Sequence, residues 1–440
     1  MTRVYFDQIH ICDPSTGFDD TGCMIINDGV VDAVGSPQDI GSPPSDARII
    51  TAENAVITPG LIDIRVQSRT PGHAHKERPA SLARAAAAGG ITAMVCLPNT
   101  DPVLDNPDSL SALTRHDNNG SADAPATPRI YAYGAATRGL QDTAMAELGL
   151  LAEAGAVGFT NAITPISDSL IMRRIMDYAA MLDKPVIQHA EDLSLAEGGE
   201  MHEGENSTRL GLKGIPVEAE EIMVARDLSL ARLTGARYHV AHVSCARTVE
   251  LIRAAKAEGL PVTCDTAPPY FALNDVAVME YDTRFRLSPP LRSEEDRLAI
   301  IAAIADGTID CIASDHAPQD RDSKLLPFGV AATGSSALET LLPLVLGLYH
   351  SGHISLMRAI ELTSTAPATL LDLPGGTLAP GAAADLTIMQ PDRGWQVRGA
   401  TFRSLSHSTP FEGQPVQGKT LSTWVKGQEI YNATTATDGA

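Results

Sequence analysis

Aromatic side chains are scarce in this 440-residue chain: Phe, Trp and Tyr together make up 4% of it. The 44% that is hydrophobic is therefore mostly aliphatic and alanine, enough for a substantial core. Cysteine is sparse too. The six lie at positions 12, 23, 96, 245, 264 and 311, with no CxxC pair, so neither a zinc ribbon nor a thioredoxin-like motif is present. Several sit in apolar strand-like runs, where a free thiol packs as a small hydrophobe. That usage fits a reducing compartment, and a cytoplasmic location is expected. Basic residues are outnumbered, 33 Lys and Arg against 54 Asp and Glu, for a net charge of −21. Such a balance argues against non-specific binding to nucleic acid or to anionic membranes. No apolar run reaches the ~18 residues of a membrane-spanning helix. The opening MTRVYFDQIH has no charged region followed by an apolar one, so no secretory leader is expected. GxGxxG, Walker and GxSxG motifs are absent, and Asn432-Ala-Thr, an acceptor pattern for glycosylation, carries no meaning without secretion.

What is present is an ordered alternation. Residues 1–58 read as short β-segments between turns: RVYFDQIHI, CMIINDGVVDAVG and ARIITAENAVIT. From residue 59 to 374, eight strand-like runs (LIDIRV, ITAMVCL, RIYAYGA, AVGFT, PVIQHA, RYHVAHV, PVTCDTA and TIDCIASD) alternate with amphipathic or alanine-rich segments. These include PASLARAAAAGG, SLIMRRIMDYAAML, VEAEEIMVARDLSLARLTG and RTVELIRAAKAEG. Eight such repeats predict a parallel sheet closed into a (β/α)8 TIM barrel. Residues 375–440 return to short strands and glycine turns and are expected to pair with residues 1–58 in one small β-sandwich domain. Loop tips near 116–128 and the last residues are expected to be flexible. In such a barrel the chemistry sits at the C-terminal ends of the strands.

Eight stretches lie there or close by: PGLIDIRVQSRTPG, AAAAGGITAMVCLPNTDP, GAVGFTN, VIQHAED, YHVAHVS, SPPLRS, IASDHAP and GSSALET. Together they resemble the dihydroorotase family of amidohydrolases over nearly the whole chain. The resemblance implies a barrel of the amidohydrolase type with a β-domain made from both chain ends. It also implies two divalent metals, held by His-x-His on strand 1, a bridging acid on strand 4, a His on each of strands 5 and 6, and an Asp on strand 8. A bridging anion offsets the repulsion of the two dications, and the pair lowers the pKa of a shared water that attacks an amide carbonyl.

This chain departs from that pattern. Strand 1 carries Arg65 and Gln67 in the His-x-His places. Arginine cannot ligate a metal, and Gln67 offers only a neutral oxygen. His73-Ala74-His75 could supply the pair instead but lies beyond Pro71-Gly72, on the loop. Strand 4 ends in Asn161, which cannot bridge dications; an Asn there is commonly a turn former. His189, His242 and Asp315 match the family's remaining ligands. They could hold one weakly bound zinc with an open position, or form a metal-free polar cluster in which Asp315 pairs with His189, His242 or Arg65. Of the implied substrate-carboxylate contacts, Arg69 and Asn99 match. Gln319 and Ser288 stand where the family has His and Asn, and Pro269-Tyr270 stands where it has a His pair. Gly334-Ser335-Ser336 is expected to open a helix and could place an anion at its N-terminus, with packing the plainer role.

Three functions follow. In the first, the chain is a dihydroorotase-like protein of pyrimidine biosynthesis with a degenerate metal site. It then resembles the non-catalytic homologues that partner aspartate carbamoyltransferase, and it is expected to be a homo-oligomer. In the second, it is an active cyclic-amide hydrolase with one residual zinc on His189, His242 and Asp315, the last also catalytic. In the third, it is a metal-free binder of a carboxylated metabolite through Arg65, Arg69 and Asn99.

Overall fold

The computed structural model describes residues 3–114 and 126–434. Most of the loop expected around residues 116–128, and the end of the chain, therefore lie outside the described residues.

Strands Leu61–Val66 and Ile91–Cys96 are buried at every position, as barrel strands covered on both faces are. They pair in parallel with each other, and Ile91–Cys96 pairs with Arg129–Ala132. The run RIYAYGA is broken at Tyr133, and Gly134–Ala135 continues it into the next sheet. There Phe159–Thr160, Val186–Gln188, Tyr238–Val240, Val262–Thr266 and Cys311–Ile312 follow in parallel order. Closure comes from the Val66–His316 bridge, where the Gln67 amide donates to the His316 carbonyl at 2.9 Å. The eight strands are those expected from the sequence. Helices Pro79–Ala88, Ser169–Met181, Glu218–Thr234 and Ala246–Ala257 form from the amphipathic segments between them. Each turns its apolar stripe toward the strands.

The chain ends form one eight-stranded sheet. Val56–Pro59 joins its halves, running parallel to Arg3–Asp13 on one side and antiparallel to Leu386–Gln396 on the other. Trp424 and Phe6, ring centroids 5.7 Å apart, fill the core of this sheet. The aliphatic strands supply the rest. All six cysteines are buried and unbonded to one another. No helix among the described residues is long and apolar enough to cross a membrane.

The segment after Leu386–Gln396 returns to the barrel and locks its mouth. Glu77 has no exposed side-chain surface. It accepts hydrogen bonds from the Ser81 and Ser404 hydroxyls and from the Leu405 amide at 3.4 Å, with His316 Nε2 3.7 Å away. One carboxylate thereby ties the first barrel loop, the end of strand 8 and the C-terminal segment together.

Candidate active site

Alternation along Leu61–Val66 places Asp63, Arg65 and then Gln67 on one side of the strand. Each finds a partner on a neighbouring strand end. Asp63 accepts from the Ser314 amide at 3.1 Å, from the Ser314 hydroxyl, and from the Arg65 amide at 3.2 Å. Burial pushes the Asp63 carboxyl up to about 6. Arg65, 2% exposed, donates from Nε to Asp315 Oδ1 at 3.0 Å and from Nη2 to the Ala162 carbonyl at 3.2 Å. Gln67 accepts from Asn99 Nδ2 at 3.0 Å. Asn99 thus spends a donor on the residue that stands in the strand-1 ligand place.

His189 and His242 lie face to face, rings stacked 4.9 Å apart, with Nδ1 of the first 2.9 Å from Nε2 of the second. His242 Nδ1 is 3.7 Å from Asp315 Oδ2, and His189 Nε2 is 3.8 Å from Glu191. Burial, then the charge of Arg65, holds the His242 imidazole well below its ordinary pKa. Burial pushes the Asp315 carboxyl up and Arg65 pulls it back. His239 and Asp265 sit below as a second buried pair at 2.8 Å, and Asp265 also accepts from the His242 amide at 2.8 Å.

Asn161, 1% exposed, turns its oxygen on Thr137, accepting from its amide at 3.1 Å and its hydroxyl at 3.0 Å. Gln319 spans the mouth. It accepts from Lys76 at 2.8 Å and donates to the Thr333 carbonyl at 2.6 Å. Tyr270 is buried beside His242 and donates to the Pro289 carbonyl at 3.0 Å, so the place of the family's His pair is filled by a ring. Arg69 donates to the Pro318 carbonyl at 3.0 Å, and burial draws its pKa down to about 10. Arg65, Arg69, Asp315, His189, His242 and Ser288 line one enclosed cavity of about 120 Å3. Gln67 and Gln319 border it as well, whereas Asn99 and Asn161 do not. His75 is exposed outside it, on the loop.

Gly334-Ser335-Ser336 does not open a helix. The next helix is Leu341–His350, and the segment lies against Ala317 outside any helix or strand. Gly334 has φ +109°, and a Cβ there would come within 2.6 Å of the Ala317 carbonyl. Its glycine serves that close approach, not a helix N-terminus. Four non-glycine residues at the mouth also hold positive φ: Arg69, Ala162, His242 and Asp315. Such strain clusters at functional sites. Asp63 and Asp265 were not singled out from the sequence. The signal for both was a carboxylate inside an apolar strand run, which must find a partner once buried.

Among the described residues no three His, Cys, Asp or Glu side chains are grouped as a metal site. The donor set explains this. Arg65 is a permanent cation at the end of strand 1, and Asp315 is its counter-ion at 3.0 Å. A dication about 5 Å from that guanidinium would be repelled by about 7 kcal/mol at an effective dielectric of about 20. That is about half of the ~10–16 kcal/mol a structural zinc site delivers. The binuclear metal pair does not fit these residues.

Lys324, in the short helix Arg321–Lys324 that follows strand 8, donates to the Thr283 carbonyl at 3.0 Å and is buried. Burial brings its pKa down to about 7. The unfolded chain holds this proton up to about pH 10.4, so stability should rise between about pH 7 and 10, by up to ~1.4 kcal/mol per pH unit. Denaturation series on the protein and on Lys324→Met should differ by that slope; parallel curves would show an ordinary lysine.

Residues 54–248 match the family described as Dihydro-orotase-like. The chain is 44% identical over 423 residues to a protein named Dihydroorotase from Geobacter sp. (strain M21), covering 96% of this chain and 98% of that one. It is 45% identical over 429 residues to another of that name from Syntrophotalea carbinolica (strain DSM 2380 / NBRC 103641 / GraBd1), covering 98% and 99%. Among solved structures it is similar to the L-hydantoinase (dihydropyrimidinase) from Arthrobacter aurescens. The TM-score is 0.86 at 26% identity, over 98% of this chain and 96% of that one. The dihydropyrimidinase from Brevibacillus agri NCHU1002 shares the fold, with a TM-score of 0.83 at 22% identity, over 98% and 95%.

Proposed function

We propose a function from one premise: this chain belongs to the dihydroorotase-like family of the amidohydrolase superfamily. Its place is in pyrimidine biosynthesis, and within it the chain is a non-catalytic member. The barrel is a docking body that binds and stabilises aspartate carbamoyltransferase, and it does not open the dihydroorotate ring. The observation that carries this is the Arg65–Asp315 pair at 3.0 Å. The strand-8 carboxylate, which would otherwise move protons, is committed to a fixed cation standing where metal would be. The neutral Asn161 removes the bridging anion as well.

A second reading has its own support. The relatives are named Dihydroorotase, and those names favour an active hydrolase over a non-catalytic partner. His189 and His242 stand 2.9 Å apart beside Asp315, the set that would have to hold a single metal. For the zinc to bind, Asp315 would first have to leave Arg65.

Metal content of the purified chain after zinc loading, with dihydroorotate turnover on the same sample, separates the two. The first reading expects no stoichiometric zinc, no turnover, and comigration with the transferase of its own organism. One zinc per chain with turnover that vanishes in Asp315→Ala would establish the second. A chain that runs alone in an equimolar mixture with the transferase is no scaffold for it.

A further inference from the structure

Lysine is rare in this chain, with seven residues in 440, and one of them is buried without a counter-ion. Lys324 is 7% exposed. Its Nζ donates to the Thr283 carbonyl at 3.0 Å and to the Arg286 carbonyl at 3.4 Å, and among the described residues it makes no ion pair. Burial and the neighbouring Arg286 cation bring its pKa down to about 7, so a large share of the amine is unprotonated at neutral pH. A desolvated lysine beside another cation is the activated nucleophile of imine chemistry. Lys324 also lines a cavity of about 520 Å3, within the ~300–1,000 Å3 of small-molecule pockets. Thr283, whose carbonyl holds the amine, lines it too, which sets the amine end of the side chain at the wall. Asp282, Arg284, Arg321 and His407 complete the titratable lining. Asp282 is taken up by Arg284, whose Nε lies 2.8 Å away. Arg321 is exposed and makes no ion pair among the described residues. The neighbouring acids are outside the lining. Asp320 accepts from the Ser323 amide at 2.9 Å and lies 3.9 Å from Lys76, and Glu412 accepts from the Gly399 amide at 2.7 Å. Neither of these, nor Asp322, borders the cavity. The lining thus offers one amine and one unpaired guanidinium.

We propose that this cavity binds a small 2-oxo acid, with Lys324 Nζ joined to its carbonyl carbon as an imine and Arg321 holding its carboxylate. A planar guanidinium matches a carboxylate through two parallel N–H bonds, and a carbonyl beside a carboxylate is electrophilic. In the step itself the amine lone pair forms the C–N bond. The carbonyl oxygen leaves as water, with one proton from the amine and one from solvent. A protonated imine results, and its one remaining N–H keeps the bond to the Thr283 carbonyl. No oxidant or reductant is needed. Gln319 borders both this cavity and the barrel mouth, and the inference stands whether or not the mouth is catalytic.

The test incubates the full chain at neutral pH with sodium glyoxylate, the smallest 2-oxo acid, and sodium cyanoborohydride, which reduces an imine to a stable carboxymethyl-lysine. Peptide mass mapping then reads all seven lysines. Lys324 should be labelled about tenfold or more faster than any other lysine, at a rate that saturates in glyoxylate. Lys324→Arg should remove the fast adduct while the other lysines label as before. Unfolding in urea should erase the preference. Propanal, a neutral aldehyde, isolates the carboxylate contact. Arg321→Met should slow glyoxylate labelling of Lys324 about tenfold and leave propanal labelling unchanged. Labelling of Lys324 no faster than that of the other lysines overturns the proposal, as does a preference that survives unfolding. An Arg321→Met effect equal for both probes, or absent for both, overturns the carboxylate seat and with it the 2-oxo acid.

Discussion

Arg65→Met should lower the unfolding free energy by about 3–5 kcal/mol, the cost of leaving one member of a buried ion pair alone. Both partners make the case. The Arg65 side chain is 2% exposed and that of Asp315 18%. Removal of the guanidinium also strips the Ala162 carbonyl of its donor. Asp315→Leu should cost a similar amount for the mirror reason, since an uncompensated guanidinium would remain. The double variant Arg65→Met/Asp315→Leu should recover most of the loss, because buried pairs replaced together by apolar groups are often neutral or stabilising. Urea denaturation of the four proteins gives the interaction energy directly. Simple addition of the two single losses in the double variant would show that the pair does not hold the mouth together, and the proposed function would lose its carrying observation.

Glu77→Ala should destabilise the protein by about 3–5 kcal/mol, although Glu77 lies on a loop outside the cavity. Burial works to raise its carboxyl, but the nearby His316 ring and the hydrogen bonds from Ser404 and Ser81 win and hold it below the ordinary carboxylate range. Loss of that carboxylate removes the acceptor of the buried Ser404 hydroxyl and leaves Ser81 only the Arg78 carbonyl at 3.0 Å. It also unties residues 404–406, which themselves brace the mouth: Ser336 donates to the Ser406 carbonyl at 2.7 Å, and the Gln319 amide to the Ser406 hydroxyl at 3.3 Å. Hydrogen exchange at residues 404–406 should therefore accelerate well before global unfolding, while the barrel helices keep their protection. Uniform acceleration across the chain would mean that Glu77 is an ordinary core contact.

Much of this was legible in the amino-acid order. The eight runs from LIDIRV to TIDCIASD form the barrel because strand and helix periods alternate, and such runs can bury their apolar faces in few ways. The break at Tyr133 and the non-helical Gly334-Ser335-Ser336 were not legible. Both depend on a neighbour, in the second case on the approach of Gly334 to the Ala317 carbonyl, which local pattern does not contain. The bond of Asn99 to Gln67 has the same origin. Two residues 32 apart meet only when strands 1 and 2 lie side by side.

The sequence by itself determined the kind of fold and which side chains stand at the strand ends. Arg65, Gln67 and Asn161 are neither anions nor imidazoles, and no folding can alter that. The tertiary structure alone decided what those residues do to one another. It placed Arg65 against Asp315, 250 positions away along the chain, and His189 against His242. Among the described residues it left buried polar atoms, Arg65 Nη1 and Asn161 Nδ2 among them, without hydrogen-bond partners. The physical reason is that pairing between charges and the cost of an unmatched donor depend on distance and on exclusion of water. Both arise only when the barrel closes.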